Sequence, residues 1–191
     1  GKSLEKLSSG YRINRAGDDA AGLVISQKLR AEIGGLQQAT RNGQDGISFV
    51  QTAEGALNEV HNMLGRMRDL AVQSANDTND ADARTAIQNE MRALGSEIFR
   101  IGTDTTFGGA SVFAAGTKNF QVGSEGSGTS GQIQLTTTAL DATALGTDFT
   151  TVDVSTAALS RTAIENIDTA IGNVSTTRGS LGAVQNRLES T

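Results

Sequence analysis

The chain has 191 residues, 16 Lys and Arg against 21 Asp and Glu, and a net charge of −5, with no cysteine, proline or tryptophan. Disulfides, thiolate metal sites and a cysteine nucleophile are therefore excluded, and a mildly acidic chain lacks the basic face that general nucleic-acid binding needs. No apolar run approaches the roughly 20 residues of a membrane-spanning helix, and no secretory signal peptide stands out.

Along residues 23–75, Leu29, Leu36, Gly43, Val50, Leu57, Leu64 and Ala71 recur every seven positions, with Ala39, Gly46, Ala53, Val60, Met67 and Ser74 three later. This is an a/d seam, which predicts one long helix packed lengthwise on others. Asn42-Gly43-Gln44-Asp45-Gly46 reads locally as a turn. The heptad keeps its phase across it, so continuity is expected, although each glycine costs about 1 kcal/mol relative to alanine. Asp77–Asp80 is a polar break, after which Asp80 or Asp82 can cap the next helix. Ile87, Met91, Leu94, Ile98 and Ile101 give 83–101 one apolar face.

Residues 103–157 hold 13 Thr and only six charged residues, a composition of strands and turns. Phe120-Gln121-Val122 and Ile133-Gln134-Leu135 alternate around a Gly/Ser loop and predict a hairpin, with a shorter hairpin turned at Ala115-Gly116-Thr117. The last segment, near 160–188, repeats Ile167, Val174, Leu181 and Leu188 every seven residues. The fold class expected is mainly α with a small β part: an elongated rod of three long packed helices with β-hairpins at its tip. Residues 1–106 and 155–191 form the rod, 1–22 being an extended, spoke-like segment, and 107–154 form a Thr/Gly-rich outer part.

No motif assembles an active site. Gly126–Gly131 matches G-x-G-x-x-G, but it leads into a strand-like stretch instead of a helix whose N-terminus could hold a pyrophosphate. His61 is the only histidine. It has no partner for a zinc site, and no G-x-S-x-G elbow supports a Ser-His-Asp triad. Asp18-Asp19 read as helix-capping acids, and Arg66, Arg68 and Asp69 read from spacing alone as a solvated helix face. No catalytic residue, metal or cofactor is expected.

Residues 5–30, from Glu5-Lys6-Leu7-Ser8-Ser9-Gly10-Tyr11 through Arg12-Ile13-Asn14-Arg15-Ala16-Gly17-Asp18-Asp19-Ala20-Ala21-Gly22-Leu23 to Leu29-Arg30, closely resemble bacterial flagellin. So do Asn42–Ser48, Gln51–Leu57, Leu70–Asn76 and the returning Leu181–Leu188. The resemblance covers nearly all of 3–108 and about 158–191, and 109–157 only in style. It implies an extracellular structural subunit of the flagellar filament, self-assembling for motility. Such a subunit is exported unfolded through the flagellar export apparatus without a cleaved signal peptide. Its partners are other flagellin subunits, with no nucleic acid and no membrane insertion. Inner-core segments are then expected before Gly1 and after Thr191, and a connecting spoke at about 8–22. The alternatives are a hook–filament junction protein, or a flagellin with an enzymatic variable region, against which the absent H-E-x-x-H argues. The stretch Leu64–Gln73 is also similar to the flagellin segment bound by Toll-like receptor 5. The family's central Arg, Leu and Glu match Arg66, Leu70 and Glu90, with Arg68 and Gln73 beside them. Gly65 and Asp69 depart from the family's Gln and Glu.

Overall fold

A computed structural model describes residues 16–128 and 130–191. Helix α1 runs unbroken from Ala16 to Ser74, about 88 Å at roughly 1.5 Å per residue. It passes straight through 42–46. Gly43 and Gly46 are buried there, and a Cβ on Gly46 would stand 3.0 Å from Leu188 and 3.1 Å from the Phe120 ring. The glycines are thus points of close packing, and the turn rule yields to the neighbours they admit. Residues 16–22, expected as extended spoke, are the first turns of α1, and Asp18 and Asp19 lie inside that helix. The rest of the spoke, 1–15, lies outside the described residues.

α1 ends where its free carbonyls find side-chain donors. Asn79 Nδ2 donates to Gln73 O and Asn76 O, and Arg84 donates to Ser74 O and Asn76 O. Helix α2, Ala81–Asp104, opens on Asp80, whose carboxylate accepts from Ala83 N at 2.8 Å. Its buried stripe is Ile87, Met91, Gly95, Ile98 and Ile101. Leu94, expected in the seam, is only half-buried. Gly95 takes the buried place because the Phe149 backbone lies 2.6 Å from where its Cβ would be.

Strands β1, Thr106–Phe107, and β2, Ala110–Ser111, form a two-residue hairpin turned at Gly108-Gly109, both with positive φ. The turn expected at Ala115–Thr117 is not there: Gly116 instead starts β3, Gly116–Gln121. β3 pairs antiparallel with β4, Gln132–Thr137, with Phe120 opposite Ile133 as the alternation implied.

The hairpins leave the end of α2 and lie on the flank of the rod; they do not project from a tip. Phe107 and Phe120 both pack on Phe49, Val122 faces Gly43 and Ser124 faces Gly35. The chain then returns along α2 through a short helix α3, Ala142–Leu145, and a 3-10 turn, Phe149–Thr151, capped by Asp141 and Asp148. α2 holds this return with two side chains: Arg92 Nε donates to Val152 O at 2.9 Å and Gln88 Oε1 accepts from Val154 N at 3.0 Å. Helix α4, Ala157–Glu189, capped by Thr156, packs antiparallel along α1.

One core joins all of these elements. Ile133, Leu135, Leu145, Phe149 and Val154 of the expected outer part share it with Leu57, Leu64, Ile98 and Ile167 of the helices. The helical seams are buried at Val50, Leu57, Leu64, Ile87, Met91, Ile98, Ile167, Val174, Leu181 and Leu188. Besides half-buried Leu94, Leu29 and Leu36 are the exceptions, each 53% exposed, in the part of α1 that the described elements leave open.

Candidate functional site

The surface picked out in the sequence lies on the α1–α2–α4 bundle. Arg66 Nε and Nη2 donate to Glu90 Oε1 at 3.1 and 2.9 Å, bridging α1 to α2. Both side chains are about half exposed, so the pair contributes on the order of 0–1 kcal/mol and remains accessible. Gln73, seven residues on, shares that stripe and is exposed. Leu70 lies between them in the same stripe but is only 2% exposed, so it supports the face from beneath and is not an open anchor. Arg68 is not part of this face. Two residues turn a helix through about 200°, which sets Arg68 toward α4, where it grips Asp168 at 2.7 and 3.4 Å. The hydrogen bond from Arg68 holds the Asp168 carboxyl below its ordinary value, and Asp168 raises the guanidinium in return. Arg66 and Glu90 are therefore brought together, Gln73 stands two turns further along the same stripe, Leu70 is buried, and Arg68 is engaged elsewhere.

The other chemistry considered in the sequence falls into structural places. The Gly126–Gly131 run is the β3–β4 loop, and its glycines lead into a strand. His61 Nε2 lies 3.3 Å from Ser175 Oγ, but its Nδ1 faces Arg178 Nη1 at 2.6 Å. A triad needs a carboxylate at that nitrogen to stabilise an imidazolium, and a guanidinium does the reverse. A groove of about 390 Å³ between β4 and α4 is lined by hydroxyls of Thr136, Thr138, Thr176 and Ser180 and the amide of Gln134 among further threonine and apolar side chains, with no ionisable side chain. Among the described residues, no group of three His, Asp or Glu could hold a metal, and no helix is long and apolar enough to cross a membrane.

What the sequence reading missed is an open apolar stripe. Leu23, Val24, Ile25, Leu29, Ile33 and Leu36 are all more than half exposed along the first half of α1. Ile25, Leu29, Ile33 and Leu36 share one face, while Leu23 and Val24 point to other sides of the helix, and local spacing carries no information on whether a neighbour covers that face.

The family model for the bacterial flagellin N-terminal helical region matches residues 1–118. This chain belongs to the flagellin family. It is 50% identical over its whole length to a flagellin of Halalkalibacterium halodurans, covering 70% of that relative. To a flagellin of Clostridium tyrobutyricum it is 64% identical over 56% of its length, covering 28% of that protein. The crystal structure of Bacillus cereus flagellin superposes with a TM-score of 0.67 at 34% identity, over 78% of this chain and 85% of that one. The FliC structure from Burkholderia pseudomallei shares the fold, with a TM-score of 0.63 at 18% identity, over 74% and 99% of the two chains. The family is one of structural proteins, extracellular subunits of the flagellar filament that assemble with other flagellin subunits.

Proposed function

We propose that this flagellin stacks in the filament through the first half of α1, and that Arg66, Glu90 and Gln73 form the side read by Toll-like receptor 5. The observation that supports the assembly surface is the stripe Ile25, Leu29, Ile33 and Leu36, four large apolar side chains left open on one face of the helix, within about 80° of one another. A stripe of this length on one helix exceeds the scattered exposure of an ordinary surface. Replacing Leu29 and Ile33 with Asp in the filament-forming flagellin should abolish filaments in electron micrographs. The helix signal of the monomer should stay intact. Filaments of normal length from that variant would remove the stripe from the assembly surface.

The receptor reading rests on the resemblance of Leu64–Gln73 and on the accessible Arg66–Glu90 pair, an arginine being a common binding hot spot. Arg66→Ala should weaken binding to the receptor ectodomain directly. Leu70→Ala should weaken it through loss of the packing that sets the Arg66 face. Equal binding by the parent and both variants would reject this face. Gly65 and Asp69 in place of Gln and Glu make weaker recognition the expected outcome. A chain without cysteine also suits export in unfolded form through the flagellar apparatus, since no disulfide must be opened or remade.

A further inference from the structure

We propose that the outer edge of β4 is a docking edge for an extended, uncharged strand of a partner polypeptide. The register of the β3–β4 pair decides which backbone groups of β4 are left over. Val122 N donates to Gly131 O at 2.7 Å, one step past the Gln121–Gln132 pair. Hydrogen-bonded and unbonded pairs alternate along an antiparallel ladder. The bonded pairs are therefore Phe120–Ile133, Lys118–Leu135 and Gly116–Thr137. The N–H and C=O groups of Gln132, Gln134 and Thr136 then turn away from β3. The same alternation turns Gln121 O outward on β3, and there Asn42 Nδ2 of α1 donates to it at 3.0 Å. The edge of β3 is thus met by a helix. On β4, among the described residues, no backbone group outside the hairpin pairs with Gln132, Gln134 or Thr136.

That edge opens on the groove of about 390 Å³. Residues 134–138 line it in unbroken succession, whereas the face of a strand would present every second residue. Phe113, Leu181 and Val184 are its buried, apolar lining, and Thr176, Ser180 and Ala183 are its exposed wall on α4. The Thr176 and Thr177 hydroxyls already donate to Gly172 O and Asn173 O of their own helix, so they do not compete for the strand's carbonyls. Donors and acceptors that alternate at about 6.8 Å along an edge match the main chain of another strand. The apolar lining suits a small apolar side chain at every second position of that strand. No ionisable side chain lines the groove, so a charge on the occupant would be desolvated without a counter-charge. Nor does β4 carry the devices that close an edge, since no Lys, Pro or acidic residue stands between Gln132 and Thr137. This edge is separate from the Ile25–Leu36 stripe and from the Arg66–Glu90 pair, so the proposal stands apart from the assembly and receptor readings.

The probe is a peptide of alternating threonine and valine, acetylated and amidated at its ends, added in excess to the parent chain. Amide exchange at Gln134 and Thr136 should slow by about tenfold, because these N–H groups pass from water to a strand carbonyl. The same peptide with its alternate amides N-methylated should slow neither. Gln134→Pro removes one outward N–H and leaves the ladder to β3 in place, as proline allows on an edge strand. It should abolish the slowing at Thr136. Ser180→Glu, on the exposed wall of α4, puts a charge into the groove without touching β4, and should weaken the peptide's effect by about tenfold. It keeps the test intact if Gln134→Pro fails to fold. No slowing in the parent, or equal slowing in the parent and Ser180→Glu, would overturn the proposal. Slowing that appears without peptide and grows with protein concentration would assign the edge to a second copy of the chain, and would overturn it as well.

Discussion

Helix α1 carries one apolar repeat through two environments. From Ala39 to Ser74 every a and d position is buried, Val50, Val60, Leu64 and Met67 completely. Below Ala39 the repeat continues in phase through Leu36 and Leu29, yet both side chains stand in the open. Helix propensity, spacing and side-chain type barely differ between the halves. The difference is the neighbour: among the described residues, α2, α4 and the β3–β4 hairpin flank the upper half, and the hairpin loop reaches down to Gly35, which Ser124 meets. A heptad therefore reports which face is apolar, while the cover on that face is decided by what else the chain brings alongside.

The largest effect expected follows directly from that contrast. Leu57→Ala and Leu29→Ala delete the same atoms from equivalent heptad positions. In the buried half the change should cost about 2–5 kcal/mol, through lost transfer energy and the cavity left behind. In the open half it should cost less than about 0.5 kcal/mol, as surface substitutions do. Urea titration of the two variants checks this. Similar losses in both would mean that the lower half is covered in solution.

Much of the fold was legible for a physical reason: long amphipathic helices write their buried face into a seven-residue period, and a paired hairpin writes its own into a two-residue one. The heptad also settled 42–46 correctly against the local turn signal. The errors share a different cause. Leu94 and Gly95 exchange roles because the tertiary approach of the Phe149 backbone, 54 residues away, decides which one is covered. The first hairpin turns at Gly108-Gly109, a two-residue pair with the positive φ such a turn demands, and that local signal was available. For the proposed receptor face, spacing placed Arg66 and Leu70 on one stripe but could not say that the leucine would be buried in the common core. The His61–Arg178 contact was out of reach, since nothing local links residues on helices more than a hundred positions apart.

The glycines sharpen the comparison at a smaller scale. Gly95→Ala, in the packed region, puts a Cβ 2.6 Å from Phe149 O and 2.8 Å from its Cβ. Relief requires the return segment to shift, at a cost of about 1–3 kcal/mol. Gly34→Ala, in the open half, meets nothing within 4 Å. It should instead stabilise the helix by up to about 1 kcal/mol, because alanine loses less backbone entropy. Thermal unfolding followed by circular dichroism should show opposite signs for the two substitutions. The same sign for both would contradict the division.

Within the buried half, polar groups provide a further contrast with its apolar seam. Ser160 Oγ is within hydrogen-bonding distance of Ser74 Oγ at 2.9 Å and Thr156 O at 2.8 Å, and Ser74 Oγ donates to Val154 O at 3.0 Å. Both serines are fully buried. Ser160→Ala removes one member of this network and should cost about 1 kcal/mol, clearly less than the Leu57 truncation. A denaturation midpoint unchanged from the parent would show that Ser74 and the carbonyls are satisfied without it.

At the rim of the same half, Arg68 and Asp168 join α1 to α4 in water, and their effect should be the smallest. The hydrogen bond from Arg68, and then its charge, favour the ionised carboxylate and set its pKa below the ordinary 3.8. The folded chain thus holds this proton less readily than the unfolded one. The stabilisation is present above the unfolded value and disappears as pH falls through the lower folded value. Asp168→Asn should accordingly differ from the parent at neutral pH and converge with it in acid, once the pH has fallen below the ordinary carboxylate range. Both side chains are about half exposed, so added salt should shrink the neutral-pH difference, whereas it should leave the Leu57→Ala loss in place. Urea midpoints for the parent and Asp168→Asn, taken across the acid range at low and high salt, read both dependences. A gap that widened as the pH fell would reverse the sign derived from the Arg68 contact, and Asp168 would then be stabilising the fold in its protonated form.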